Sequence, residues 1–229
     1  MPDGAATDVA WEDRRVADEL RQAASVIAGR DGPGGLQLLV IQRSRSSRFL
    51  PGYVAFPGGA TGPGDAELST EWFGTADESS RACAIRELAE ETSLTLTLDG
   101  LGPIGGWDSL SPVNMAPPSP DQLPEIAHWI APEDVPVRFD ARFYATEAID
   151  GLEPTPDGTE ASAAWWAGVP DLLADHEAGR RKIYWPTYFT LTNLAACGSV
   201  ADLLAVRLET REPTADDMTR LPRSTFWQD

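Results

Sequence analysis

The sequence predicts an α/β fold in which helices cover both faces of a mixed central β-sheet. Two observations carry this prediction: the order of the predicted elements, and an acidic helix placed between two groups of strands. The period-two and apolar patterns predict strands at 36–43, 53–56, 94–98, 103–107, 137–147 and 160–166. Helical patterns follow the last strand, at 169–179, 186–196 and 200–208. Strands, one helix, more strands and then helices favour a sheet between two helical layers.

The segments around this core are predicted from apolar spacing and from proline content. An apolar stripe at Val9, Val16, Leu20, Ala24 and Ile27 predicts a helix over residues 9–30. Prolines crowd residues 110–136, which predicts a long loop or lid. We therefore predict one domain over residues 1–229, with its core at about 30–180 and a helical extension at 181–229.

Composition excludes several classes of function. The net charge of −18 argues against nonspecific nucleic-acid binding and against docking on anionic membranes. The presence of only two cysteines in 229 residues, Cys83 and Cys197, argues against a disulfide framework. No signal peptide and no apolar stretch of membrane-spanning length is evident, so we expect a cytoplasmic protein. A surplus of aromatic residues is compatible with a homodimer and equally with a filled monomer core: Trp165, Trp166, Tyr184, Trp185 and Tyr188.

The acidic helix is the most informative segment. Arg86, Glu87, Glu90 and Glu91 lie within six residues, and side chains four apart share a helix face. Carboxylates so close repel one another unless a cation lies among them, and Mg²⁺ or Mn²⁺ takes oxygen ligands of this kind. The alternative, a solvated acidic face, stays open on this run alone.

Context around the helix resembles the signature of the Nudix hydrolases. Glu78 stands eight residues before Arg86, and Phe56-Pro57-Gly58-Gly59 lies upstream. The family has five residues between its glycine and first glutamate, whereas eighteen separate Gly59 from Glu78 here, and Ser93 replaces a usual glycine. We interpret the added residues as a surface loop. The resemblance implies an α/β/α sandwich and a site in which Gly58 and Gly59 contact substrate. It also implies Mg²⁺ or Mn²⁺ ligands from Glu87, Glu90, Glu91, the Gly59 carbonyl and, in an outer position, Glu78, with Arg86 orienting a carboxylate.

A second motif bears on the substrate. Arg43-Ser44, Arg48 and Gly52 precede the glycine pair with spacings similar to the motif of coenzyme A diphosphatases, in the peroxisomal branch that carries a long insertion. The threonine usual in that motif is missing here. Arg43 and Arg48 can grip phosphate oxygens, or they form an ordinary basic loop edge.

The resemblance implies hydrolysis of a small diphosphate substrate, CoA or acyl-CoA. ADP-ribose, NADH or a nucleoside triphosphate is the alternative substrate class, and a noncatalytic ligand-binding module is the alternative class of protein.

The general base is left open by the sequence. Glu160, at the start of a predicted strand, is our candidate, and a solvated hairpin glutamate is the equal alternative. Of the two histidines, His128 is expected to pack in a loop and His176 to lie on a helix surface.

Overall fold

The computed structural model describes residues 20–97, 100–104, 119–133, 138–214 and 216–217. The strands in this part are β1 (Arg21–Gly32), β2 (Gly35–Arg43), β3 (Tyr53–Ala55), β4 (Gly58–Ala60), β5 (Leu94–Thr97), β6 (Gly100–Pro103), β7 (Glu125–Ile130), β8 (Phe139–Glu147), β9 (Ala161–Gly168) and β10 (Lys182–Ile183). The helices are α1 (Pro63–Phe73), α2 (Ser79–Thr92), α3 (Val169–Glu177), α4 (Trp185–Leu194) and α5 (Val200–Ala205).

The central sheet is mixed, as predicted. Its main order is β10-β3-β2-β1-β8-β7, with β4 added to β1 and β9 to β2. β1 runs parallel to β8 and antiparallel to β2. One core cluster joins the sheet to α1 and α2, and a second joins its other side to α3, α4 and α5. The predicted layers, helices on both faces of the sheet, are confirmed.

The predicted helix over residues 9–30 is wrong where the structure describes it, because β1 occupies Arg21–Gly32. Val26 and Ala28 pack in one core cluster and Ile27 in the other, so the strand is buried on both faces. A strand buried on both faces has a continuous apolar run, and periodicity cannot separate it from a buried helix. The rest of that prediction, residues 9–19, lies outside the described residues.

The insertion after the glycine pair is a packed helix and not a surface loop. Pro63 stands in the first turn of α1, where its missing N–H costs nothing. Trp72, near the other end, is 6% exposed and packs in the cluster that contains α2. The loop predicted at 110–136 is wrong at Glu125–Ile130, where β7 forms. Residues 110–118 and 134–136 of that prediction lie outside the described residues.

The two histidines correct the sequence analysis as well. His128 lies in β7, where its ring contacts Asp140 and Thr210, and not in a loop. His176 is buried, since its ring meets the Arg181 carbonyl and packs beside Tyr188.

Most other elements fall close to their predicted places. β2, β3, β5, β8, β9 and the three C-terminal helices begin and end near the predicted residues. The strand predicted at 103–107 is found earlier, as β6, and residues 105–107 are outside the described part. No helix among the described residues is long and apolar enough to cross a membrane. The single-domain boundaries stay a prediction.

Candidate active site

Helix α2 carries the acidic run and lies directly against the sheet. Its apolar face, which includes Ile85 and Leu88, is fully buried in the core. Ser93 ends the helix in the left-handed conformation, with φ of 57°, and its N–H donates to the Ala89 carbonyl. Serine therefore adopts, in this chain, the left-handed conformation at the end of a helix that usually favours glycine. Glu87 and Glu91 are both buried on the same side of α2.

Three carboxylates from two distant parts of the chain converge. Oxygen atoms of Glu87, Glu91 and Glu160 all lie within 4.8 Å of one another. Glu160 precedes β9, and its position is fixed by its backbone: its N–H donates to Asp157, and its carbonyl accepts the N–H of Ser44 at 2.7 Å. The pairing of β9 with β2 thus brings Glu160 to the acidic helix.

The carboxylates share a site that disfavours their ionised forms. Burial raises the pKa of Glu91 to about 8, although the N–H of Gly58, 2.9 Å from Oε2, and the charge of Arg43 act to lower it. Burial also raises the pKa of Glu87, against the lowering influence of Arg86. Glu91 Oε1 is buried and has no hydrogen-bond partner among the described residues.

These features fit a divalent cation. A positive charge among the three carboxylates would stabilise their ionised forms, whose pKa values are raised at Glu87 and Glu91. It would also give the unpartnered oxygen of Glu91 a ligand bond. The residues that would hold the ion are Glu87, Glu91 and Glu160.

Gly59 is in close contact with this cluster. An added Cβ at Gly59 would stand 2.4 Å from the Glu87 carboxyl group. Only glycine allows the backbone of β4 to approach Glu87 so closely. The Gly59 carbonyl accepts from the buried Cys83 thiol at 3.7 Å, and burial raises the pKa of that thiol to about 12.

Arg86 joins the cluster to the inserted helix. Its Nη1 donates to Glu87 at 2.8 Å and to Glu90 at 3.0 Å. Its Nε and Nη2 donate to the two oxygens of Asp65, at 2.8 and 3.1 Å. Burial would lower the pKa of Arg86, but its hydrogen bonds and the neighbouring carboxylates outweigh burial and raise it. Arg86 therefore remains a cation throughout the range in which proteins are folded.

Two predicted ligands lie outside the three-carboxylate cluster. Glu90 is paired with Arg86, and Glu78, just before α2, is paired with Arg81. The arginines of the second motif differ from each other. Arg43 ends β2 and donates to the Phe49 carbonyl at 3.1 Å, near enough to Glu91 to influence its pKa. Arg48 is exposed in the segment between β2 and β3.

Asp65 is the functional candidate that sequence reasoning missed. Asp65 is 1% exposed, whereas the sequence predicts a surface loop at this position. Two signals point to it: five residues separate it from Gly59, the spacing expected for the first glutamate of the motif, and Pro63 predicts a helix start.

Comparison with known proteins decides the family. The NUDIX domain model matches residues 19–185, which is most of the chain. The chain belongs to the Nudix family. A crystal structure of a Nudix hydrolase from Alicyclobacillus acidocaldarius is similar, with 30% sequence identity and a TM-score of 0.69, over 82% of this chain and 97% of that one. The Caenorhabditis elegans protein named "Putative nudix hydrolase 7" is 26% identical over 200 residues.

The match to the Caenorhabditis elegans protein covers 79% of this chain and 62% of that protein, so this Nudix chain spans less than two thirds of that relative. Both relatives are described as hydrolases, which supports the predicted enzyme class. Neither name specifies a substrate.

Proposed function

We propose that this Nudix chain is a metal-dependent diphosphatase that hydrolyses CoA or acyl-CoA to 3′,5′-ADP and (acyl-)4′-phosphopantetheine. The observation that carries the reaction class is the convergence of Glu87, Glu91 and Glu160 within 4.8 Å. When bound there, a divalent cation neutralises charge on the diphosphate oxygens and makes a nearby water more acidic.

The residues of the protein would hold the reacting groups in position and balance their charge. Glu87 and Glu91 would hold the cation from α2, and the absence of a side chain at Gly59 leaves room for Glu87. Arg86 fixes the rotamer of Glu87 through a 2.8 Å hydrogen bond. Glu90 is exposed over two fifths of its side chain, at 42%, and is available to reach a further cation shared with substrate.

Glu160 supplies the third carboxylate of the cluster and is also our candidate for the base that accepts a proton from the attacking water. It is the exposed member, whereas Glu87 and Glu91 are buried, so it is open to substrate and water. Its rigid backbone anchorage, through Asp157 and Ser44, suits a group that must be held at a fixed distance.

The CoA assignment rests on the arginine motif. Arg43 is near enough to Glu91 for its charge to lower the pKa of that carboxyl group, and Arg48 is exposed on the loop that leaves β2. We assign both guanidinium groups to phosphate oxygens of the substrate. CoA carries a diphosphate and a 3′-phosphate, which gives both arginines a partner. In a chain of net charge −18, such local cations are needed to attract a polyanion.

The test is product analysis by mass spectrometry. Purified protein with Mg²⁺ or Mn²⁺ is offered CoA, acetyl-CoA, a long-chain acyl-CoA, ADP-ribose, NADH and dGTP in parallel. We expect 3′,5′-ADP from the CoA compounds, abolished by chelator. Cleavage of ADP-ribose or NADH alone would discard the CoA assignment and keep the reaction class.

Glu91→Gln tests the site itself. The amide keeps the shape of Glu91 but cannot supply a charged ligand, so we expect turnover to fall by at least about 100-fold. Glu67→Gln, an exposed change of the same chemistry on α1, is the matched control. Turnover of Glu91→Gln close to that of wild type would show that the site is elsewhere.

A further inference from the structure

Lys182 is the only lysine of the chain, and every other residue with a permanent positive charge is an arginine. It begins β10, the strand at one edge of the central sheet, and its side chain is exposed. Its ammonium group lies over the ring of the buried Tyr53, 5.6 Å from the ring centre. The two residues before it, Arg180 and Arg181, are both paired with Asp175. Within the described part of the chain no carboxylate pairs with Lys182, so its charge is available to a ligand.

The register of the strands places Lys182 on the face of the sheet that α2 covers. Val54 and Ile183 pair between β3 and β10, and both pack in the core cluster on the opposite face, with α3 and α4. Side chains alternate along a strand, so the preceding residues, Tyr53 and Lys182, face the α2 side. Lys182 therefore lies on the same face of the sheet as the acidic helix.

Arg43 lies on this face too, between Lys182 and the three-carboxylate cluster. In β2, Val40 packs in the opposite cluster and Leu39 packs with α2, so the alternation also turns Arg43 toward α2. Its charge is near enough to Glu91 to lower the pKa of that carboxyl group. β3 separates the end of β2 from β10, and neighbouring strands lie about 5 Å apart, so the backbones of Arg43 and Lys182 stand about 10 Å apart. The two cations form a row that leads away from the proposed metal site.

A substrate with two separated phosphate groups matches this row. The diphosphate of CoA belongs at the cation that the carboxylates would hold, within reach of Arg43, and the 3′-phosphate is attached to the ribose of the same nucleotide. A phosphate monoester carries nearly two negative charges at neutral pH. Lysine supplies a compact charge with three rotatable donors, which suits such a terminal group. In a chain of net charge −18, a cation without a carboxylate partner gives this surface a local attraction for anions.

We propose that Lys182 is a further binding residue, for the 3′-phosphate of the substrate, and that it makes the enzyme selective for CoA over diphosphates without that group, such as 3′-dephospho-CoA. This inference rests on the proposed function, because it extends the substrate site of that reaction along the sheet. The ring of Tyr53 contacts the ammonium group and limits its position. A lysine on an edge strand also discourages pairing with another chain, a role that needs a charge but no ligand.

The experiment measures affinity by titration calorimetry in the presence of Mg²⁺, with adenosine 3′,5′-bisphosphate and adenosine 5′-monophosphate as probes. The proteins are wild type, Lys182→Gln, Lys182→Glu and the control Arg180→Gln, which removes an equal charge that Asp175 already pairs. We expect Lys182→Gln to weaken binding of the bisphosphate by about 10- to 100-fold and to leave binding of the monophosphate unchanged. Lys182→Glu keeps a charge on the strand edge, yet it should weaken binding of the bisphosphate further, because it repels the phosphate. Arg180→Gln should change neither affinity.

Steady-state kinetics gives the same comparison with substrates. For CoA, Lys182→Gln should raise KM by about 10-fold or more and leave kcat nearly unchanged, because the 3′-phosphate takes no part in the reaction. For 3′-dephospho-CoA, the variant and wild type should have equal KM values.

Three results would overturn the inference while the proposed function stands. The first is a Lys182→Gln protein that keeps the wild-type preference for the bisphosphate. The second is an equal loss of affinity for both probes, which would place Lys182 against another part of the nucleotide. The third is a wild-type enzyme that cleaves CoA and 3′-dephospho-CoA with equal KM. A wild-type protein that forms no 3′,5′-ADP from CoA would instead remove the proposed function itself.

Discussion

At the scale of single residues, the two neighbouring glycines differ in what they support: Gly58 supports the stability of the fold, and Gly59 supports the proposed metal site. An added Cβ at Gly58 would meet backbone, 2.4 Å from the Ala24 carbonyl oxygen and 2.7 Å from Ser25 Cα. For an added Cβ at Gly59, the three nearest atoms all belong to the Glu87 carboxyl group, the first at 2.4 Å. Backbone cannot yield without cost, whereas a flexible side chain can move aside. The two neighbouring glycines are therefore required for different reasons.

We predict that Gly59→Ala leaves the free energy of unfolding nearly unchanged but weakens Mn²⁺ binding by about 10-fold or more, because it displaces Glu87. Titration calorimetry and urea unfolding measure the two quantities. Gly64→Ala, where an added Cβ meets nothing within 4 Å, is the matched control and should change neither much. Gly58→Ala should instead destabilise the fold by about 1–3 kcal/mol. Unaltered Mn²⁺ binding by Gly59→Ala would contradict this account of the site.

The residues of the site were predictable in part. Glu87, Glu91 and Arg86 follow from helical spacing, because residues four apart share one face and α2 formed where the pattern indicated. Glu160 was proposed as a base and the structure places it in the cluster, which local sequence could not dictate, since it depends on how β9 pairs with β2. The sequence does not identify Asp65, because the Gly-Pro-Gly start of its helix predicts a loop.

At the scale of elements, the errors have a common physical origin. Periodicity identifies an element that has one solvent-exposed face, as α3 does. It fails for β1, which is buried on both faces, and for α1, whose Gly-Pro-Gly start has the composition of a turn. In both segments tertiary packing decides the structure, through the strand neighbours of β1 and through Trp72 of α1.

The packing of α1 can be tested at Trp72. Because this side chain is 6% exposed and belongs to the core cluster of α2, we predict that Trp72→Ala lowers the free energy of unfolding by about 3–5 kcal/mol. Urea unfolding followed by circular dichroism measures the change. Glu71→Ala, the exposed preceding position, is the control and should stay within about 0.5 kcal/mol of wild type. If Trp72→Ala lowers the free energy of unfolding as little as the control does, the insertion is a surface loop and not a packed helix.

At the scale of the whole molecule, the acidic cluster ties folding to pH and to metal. The pKa of Glu91 is raised from 4.5 to about 8, so between these values the folded protein holds a proton that the unfolded chain has released. Where the folded state binds more protons, stability falls as pH rises. The contribution of Glu91 is thus fully present below pH 4.5 and lost by about pH 8. A bound cation reverses the sign, because it favours the ionised carboxylate and binds only the folded protein.

We predict that the metal-free protein loses stability from about pH 5 to pH 8, and that Mn²⁺ raises the melting temperature more at pH 8 than at pH 5. The net charge of −18 also destabilises the compact state as pH rises, so wild type alone does not isolate the site. A comparison with Glu91→Gln isolates the site. This variant has nearly the same net charge as wild type at pH 5, and it has no buried carboxyl group at residue 91 that can ionise. Its melting temperature should fall less between pH 5 and pH 8, and Mn²⁺ should raise it little at either pH. Equal pH slopes for the two proteins would show that Glu91 ionises without cost, and the case for a cation among these three carboxylates would lose its electrostatic basis.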